Sequence, residues 1–183
     1  MKKLTFLLKG WLVSLAALFV LTATAAPSFG QVISPQVRSL RGLKGICVSV
    51  DKMPPALAAA GISEKAVRAD IEGRLKHAGI AVVPAEAFTG DRNLGKLAFH
   101  VAVMPAAALL AYFVNVDLYQ NMELCRGEAP VETEGATWQK TNGGLVGTAM
   151  ADLVRAAMTE RADSFISDYA EANAPEPPAK SPE

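Results

Sequence analysis

Histidine is the side chain that most often serves both in acid–base chemistry and in metal binding, and this 183-residue chain has two, His77 and His100. A zinc site needs three or four ligands at suitable spacing. His77 lies at the end of a predicted helix, where a cation suits the helix dipole, and His100 lies on a predicted strand among alanines. A shared site would also need acids such as Asp117 to converge, so the sequence predicts no metal site.

Catalytic signatures are the second source of chemistry to consider. The sequence contains no G-x-S-x-G, no H-E-x-x-H and no Cys–His signature. A glycine-rich GGLVG run at 143–147 precedes a predicted helix, whose free N–H groups suit an anion. Because no Lys-Ser/Thr pair follows, this run is predicted to be a turn and a helix start. We therefore predict no catalytic residue and no cofactor.

Polar and aromatic side chains recur at every second position of two predicted strands. Because strand side chains alternate, these share one face of the sheet. They form the candidate interaction face: His100, Phe113, Asn115, Asp117 and Tyr119. Three interpretations stay open: a docking face for a partner or a second copy, an ordinary solvated face, and a small hydrolase or ligand-binding enzyme. The enzyme would use His100, Asn115 and Asp117, and it predicts a concave pocket with those side chains converging.

Two cysteines, Cys47 and Cys125, lie on the same face of the predicted sheet or at its rim. In an oxidising compartment an even pair is typical of a disulfide, which would stabilise the fold by roughly 3–4 kcal/mol. The alternative is a pair of free thiols, which pack like small apolar side chains. Strand order decides between the two, because the Cβ atoms come within bridging range only on neighbouring strands.

Two long amphipathic helices are predicted. The first follows Ser63, a favourable N-cap, carries Glu64 in its first turn and stops at Gly79. The second runs from about Thr148 to Ala172 and carries an apolar stripe at helical spacing along one face. Both helices can therefore bury one face against a sheet.

Alternating apolar residues predict the strands. They centre on 46–50, 80–84, 97–104, 111–125 and 131–141, and the Asn142-Gly143-Gly144 run is predicted to be a turn. The order β-α-β-β-β-β-α predicts an α+β fold, a two-layer sandwich. It has a mostly antiparallel sheet of about five strands with two helices on one face. Trp138 is predicted to anchor the core or the rim of this sheet.

The first 30 residues have the pattern of a secretory signal peptide. Three lysines precede an apolar run from Trp11 to Ala26, which ends in small residues. Cleavage is expected after Ala25 or after Gly30; an uncleaved anchor is disfavoured because the run is shorter than the roughly 20 residues of a spanning helix. The predicted organisation is a signal peptide at 1–30, a lead-in at 31–41, one α+β domain at 42–173 and a disordered, proline-rich tail at 174–183.

Charge and compartment limit the partners. The leader holds three of the 18 basic residues and none of the 18 acidic ones, so the remaining chain has a formal charge of −3. A weakly acidic domain lacks the basic footprint of a nucleic-acid-binding protein. We therefore expect a periplasmic or secreted protein with a protein partner in the cell envelope or with self-association, no nucleic acid, and no stable membrane span after cleavage.

Five segments of residues 38–173 occur together: LRGLKGICVSVD, VRADIEGRLKHAGI, YFVNVDLYQ, ATWQKTNGGLVG and FISDYAEAN. Their pattern resembles an uncharacterised family of small exported bacterial proteins. The order of elements is also similar to the small α/β domain at the amino terminus of TolB and in CsgG- and LpoB-like envelope proteins. The first resemblance implies an exported domain with no assigned activity, and the second implies docking on envelope partners. The cysteine pair departs from the family pattern.

Overall fold

The computed structural model describes residues 33–106, 108–127, 129–147 and 150–175. The elements in chain order are α1 (Pro35–Arg38), β1 (Gly45–Val50), α2 (Pro55–Ala59), α3 (Glu64–His77), a 3-10 helix (Ala85–Phe88), β2 (Leu94–Ala106), β3 (Leu109–Arg126), β4 (Ala129–Val146) and α4 (Met150–Ala172). The predicted signal peptide at 1–30 and residues 176–183 of the predicted tail lie outside the described residues.

The fold is α+β, with one mixed sheet in the order β1-β2-β3-β4. β1 and β2 are parallel, and α3 lies in the connection between them. β2, β3 and β4 then form an antiparallel meander with two residues between successive strands. Parallel neighbouring strands need a long crossover connection, whereas antiparallel neighbours need only a hairpin. The long connection between β1 and β2 therefore allows their parallel pairing, and the short connections after β2 and β3 give the antiparallel pairs.

The predicted strand at 80–84 was wrong in extent. It is reduced to one isolated β-bridge between Ile46 and Val82. There the N–H of Ile46 donates to the carbonyl of Ala81 at 2.8 Å, and the N–H of Val83 donates to the carbonyl of Ile46 at 3.0 Å. Pro84 follows at once, cannot donate a ladder hydrogen bond, and precedes the 3-10 helix. The sheet of the described residues therefore has four strands rather than about five.

The predicted turn at Asn142-Gly143-Gly144 was also wrong, because these residues continue β4 to Val146. Both glycines pair with β3 where it carries aromatic side chains, Gly143 opposite Phe113 and Gly144 opposite Tyr112. A Cβ atom on Gly143 would lie 2.9 Å from the Phe113 ring and 2.9 Å from the Tyr112 carbonyl oxygen. These glycines therefore allow close packing within a strand rather than a reversal of the chain.

The predicted start and end of α3 are confirmed. The Ser63 side chain accepts a hydrogen bond from the N–H of Ala66, and Gly79 has a φ of 77° just after the helix. Glu64, in the first turn, also accepts the N–H of Met53 at 2.8 Å. This bond ties the start of α3 to the segment that leaves β1.

The core lies between the helices and one face of the sheet, called the inner face. Trp138 of β4 is 1% exposed; its ring meets Phe165 of α4 edge-on at 5.3 Å, and its indole N–H donates to Asp168 at 2.8 Å. The predicted core role of Trp138 is therefore confirmed. Two buried side chains, Val37 and Leu40, belong to or follow the short helix α1, where the sequence predicted only a polar lead-in.

Candidate functional site

The opposite face of the sheet, called the outer face, carries the five predicted interaction residues. Strand register aligns side chains in rows across it. From one end to the other, the rows are Cys47, Lys96, Tyr119 and Ala136; Ser49, Ala98, Asp117 and Gln139; His100, Asn115 and Thr141; Ala102, Phe113 and Gly143; Met104, Ala111 and Leu145. The five residues therefore occupy four neighbouring rows.

Three of the five, His100, Asn115 and Asp117, lie together in one cluster of polar side chains, called the outer-face network. His100 Nδ1 lies 2.7 Å from a carboxylate oxygen of Asp51, just beyond β1. The Asn115 amide donates to Asp117 Oδ2 at 2.5 Å and its carbonyl oxygen accepts the hydroxyl of Thr141 at 2.7 Å. Polar contacts thus run from Asp51, just after β1, across β2 and β3 to β4.

Asp117 is the buried member of this network. It is 4% exposed, although it lies on the outer face. Within the described residues, Asp117 Oδ1 and His100 Nε2 are buried without a hydrogen-bond partner. His100 Nε2 lies 3.5 Å from Asp117 Oδ2, which is close enough for a charge interaction but outside hydrogen-bond geometry. Such an unpaired buried group costs about 1–3 kcal/mol, so the surrounding sheet must hold this arrangement in place.

Next to the network lies an exposed apolar patch formed by Met104, Phe113 and Leu145. Their exposed fractions are 50%, 44% and 64%. Register places small residues between them, with Ala102 and Gly143 flanking Phe113. The three large side chains therefore lie on adjacent strands at the end of the sheet where β2 turns into β3.

The opposite end of the outer face is closed around Tyr119 and Lys96. The Lys96 ammonium lies 5.0 Å from the centroid of the Tyr119 ring and 5.2 Å from that of Phe88 in the 3-10 helix, and it also pairs with Glu134. Cys47 is packed beneath, with Phe88 and Leu94, and is 2% exposed. Burial raises the pKa of the Cys47 thiol, against a smaller lowering by Lys96. Tyr119 is thus partly covered, unlike Phe113.

The two cysteines are free thiols. β2 lies between their strands, and Cys125 lies six residues along β3 from Tyr119, which shares a row with Cys47. At ~3.3 Å per residue this offset alone is about 20 Å, far beyond the roughly 7 Å limit between bridged Cα atoms. The predicted alternative of a Cys47–Cys125 bridge is not formed, because sequence could not supply strand order or register.

Cys125 belongs to a two-stranded ribbon that continues beyond the end of β2. The ribbon is braced from the loop after the 3-10 helix, where Arg92 pairs with Glu123 at 2.7 Å and with Glu132 at 2.9 Å. The side chain of Asn121 donates to the carbonyl of Phe88 at 2.7 Å. These contacts tie the ribbon to the 3-10 helix and to the loop that follows it.

The hydrolase hypothesis required convergence and a concave pocket. His100, Asn115 and Asp117 do converge, but they do not line any of five well-formed clefts of the described residues. Over the same described ranges, no three His, Cys, Asp or Glu side chains form a group able to hold a metal ion. His77 lines a cleft beside α4, and the structure does not bring it to His100.

Sequence reasoning missed Asp51, Thr141 and Gln139 as members of the network. Asp51 follows Ser49 at the spacing that keeps both on one face, which was a usable signal. Thr141 and Gln139, which both contact the carbonyl oxygen of Asn115, could be paired with it only once the register of β3 and β4 was known. A bulge at Leu118/Tyr119 shifts that register by one residue.

Comparison with known proteins gave no matching family model and no matching curated protein. Within the part of the chain that the structure describes, no helix has both the length and the apolar character needed to cross a bilayer.

Proposed function

We propose that this protein is an exported, non-enzymatic binding domain that docks a protein partner of the cell envelope on its outer face. The observation that carries the proposal is the apolar patch of Met104, Phe113 and Leu145, exposed beside the outer-face network with its buried Asp117. Contiguous exposed apolar surface bordered by polar groups is typical of interaction sites. In this proposal the helices form one layer, and the sheet is a second layer whose outer face is open.

Charge indicates the chemistry of the partner. Among the described residues, the cations Arg92 and Lys96 at the outer face are already paired with carboxylates. The carboxylates on or beside this face are Asp51, Asp117, Glu123, Glu132 and Glu134. The partner surface that fits is therefore apolar at its centre and basic at its edge, because complementary charge favours association and excludes wrong partners.

Site-specific photo-crosslinking in the source cell tests the proposal. A benzoylphenylalanine residue in place of Phe113 is expected to give a discrete adduct with one second protein. The same residue in place of Lys65, which is exposed on α3, is the matched control and is expected to give none. Leu145→Lys should abolish the Phe113 adduct without changing the melting temperature. Equal adducts from both positions, or no adduct from Phe113, would refute docking on this face.

Self-association is the second candidate, because β4 pairs with β3 on one side and is the edge strand of the sheet. An edge strand offers unpaired N–H and C=O groups to a second copy. In that case the Phe113 adduct would be a homodimer, and light scattering would show a dimer that Leu145→Lys converts to a monomer. A monomer with a heterologous adduct would exclude this candidate and leave the first.

A further inference from the structure

A cleft between α3 and α4, called the helix cleft, lies apart from the outer face. Its volume is about 330 Å³. It is formed by residues before and along α3 and by one stripe of α4: Gly61, Ile62, Ser63, Ala66, Val67, Asp70, Ile71, Arg74, Arg155, Met158 and Thr159. This volume is near the lower end of the range of small-molecule sites, roughly 300–1,000 Å³, so the cleft suits one small molecule.

The cleft is closed at one end by an ion pair between the two helices. Arg74 of α3 lies 3.2 Å from Asp163 of α4 and 3.1 Å from Asp70 on its own helix. Thr159 and Arg155 lie one and two turns before Asp163. Side chains one turn apart lie on the same side of a helix, so Arg155 flanks the cleft at the end away from the Arg74 pair.

The floor of the cleft is apolar. Ile62, Val67, Ile71 and Met158 are 2%, 8%, 1% and 2% exposed and belong to the main core. A ligand that covers this floor would gain roughly 25 cal/mol for each Å² of apolar surface removed from water. The floor therefore favours an apolar chain or ring over a fully polar ligand.

The rim supplies one available positive charge. The Arg74 guanidinium is already engaged by two carboxylates. Arg155 is exposed and has no hydrogen-bond or ion-pair partner among residues 33–106, 108–127, 129–147 and 150–175. A guanidinium matches the geometry of a carboxylate, which it binds with two parallel hydrogen bonds.

We propose that the helix cleft binds a small amphipathic carboxylate, with the carboxylate on Arg155 and a short apolar chain over Ile62, Val67 and Met158. This ligand site is independent of the proposed docking on the outer face. The combination of one free cation and a buried apolar floor selects against both a simple inorganic anion and an uncharged alcohol.

The test is an NMR titration of the ¹⁵N-labelled protein with hexanoate, hexanol and acetate. Hexanoate is expected to shift the amide signals of Ala66 and Thr159 saturably below about 20 mM, with at least about tenfold weaker binding for hexanol and acetate. Arg155→Gln should weaken hexanoate binding about tenfold. Arg68→Gln, a charge removed from an exposed position of α3 outside the cleft lining, is the matched control and should bind like the wild type.

A second variant tests the same cleft independently, in case Arg155→Gln also changes the folding or the stability of the protein. Ala66→Phe places a ring inside the cleft and should abolish the hexanoate shifts while the spectrum stays that of a folded protein. The proposal is overturned if hexanoate does not saturate, if Arg155→Gln binds as tightly as Arg68→Gln, or if the shifted signals belong to the outer face around Phe113.

Discussion

At the scale of single residues, the outer face depends on Asp117. A carboxylate that is 4% exposed with one unpaired oxygen is an arrangement that folding alone disfavours. Asn115 satisfies only its other oxygen. Because residues of this kind persist where the surrounding structure determines them and collect at functional sites, Asp117 is the residue that most distinguishes this sheet face from an ordinary solvated one.

Replacing Asp117 with Asn is expected to stabilise the protein by about 1 kcal/mol, because it removes a buried charge that lacks a full set of partners. The amide oxygen can still accept from Asn115. Urea unfolding measures the difference, and Asp152→Asn on the exposed surface of α4 is the matched control, for which no gain is expected. A loss of stability of similar size in Asp117→Asn would show instead that the charge is held favourably by His100.

The two thiols are expected to differ sharply in reactivity. Cys47 is buried and its pKa is raised, whereas Cys125 is exposed. Because the thiolate is the reactive form, Cys125 of the native protein should react rapidly with one equivalent of Ellman's reagent. The second equivalent should react only after unfolding.

Cys125→Ser should abolish the fast reaction, and Cys47→Ser should leave it unchanged. A protein isolated from its own compartment that shows no reactive thiol either native or unfolded, but two after reduction, would contradict this assignment and show that both thiols are oxidised.

At the scale of elements, local signals predicted α3 and the alternation of β3 well, because both depend on neighbouring residues. Ser63 and Gly79 mark the ends of α3, and every second residue of β3 from Tyr112 to Leu118 is buried. The strand at 80–84 and the turn at 142–144 were wrong because their structure depends on partners far along the chain. The candidate residues were therefore placed on the correct face, as the spacing of Asp51 would also allow, but the contacts of His100 with Asp51 and of Asn115 with Thr141 required strand order and register.

The stability that Glu64 contributes at the start of α3 is expected to depend on pH. The N–H of Met53 donates to its carboxylate and holds the pKa of Glu64 below the ordinary value of 4.5. Because the pKa is lower in the folded state, the stability it contributes is present above the unfolded pKa and is lost as the pH falls through the folded pKa.

The difference in unfolding free energy between wild type and Glu64→Gln should therefore shrink between about pH 6 and about pH 3. Denaturant unfolding at several pH values measures it. Glu72→Gln is the matched control on the same helix, since among the described residues Glu72 pairs with Lys76 alone, at 4.0 Å. If the Glu64 difference stays constant or grows on acidification, the Met53 bond does not stabilise the start of α3.

At the scale of the whole molecule, export would link the properties of the separate parts. The described residues bury one main core between the helices and the inner face, which leaves the outer face and the helix cleft as two separate surfaces for recognition. A compartment without cytoplasmic reductants would also expose Cys125 to oxidation, and a leader that is removed would leave a chain of formal charge −3. The compartment would therefore set both the oxidation state of Cys125 and the net charge that a partner meets.

The mature protein is expected to begin at Ala26 or Gln31. Ala23-Thr24-Ala25 and Ser28-Phe29-Gly30 each place small residues at the positions that signal peptidase requires. Intact mass and amino-terminal sequencing of the protein from the extracytoplasmic fraction distinguish the two starts. If cleavage follows Gly30, Ala25→Asp should leave the product mass unchanged and Gly30→Asp should block processing. If cleavage follows Ala25, Ala25→Asp should block processing, and Gly30→Asp should give a product that begins at Ala26 and differs from the wild type only by the mass of the substitution. A protein that retains Met1 and stays with the membrane would be anchored by its leader, and its outer face could then meet only partners within reach of that membrane.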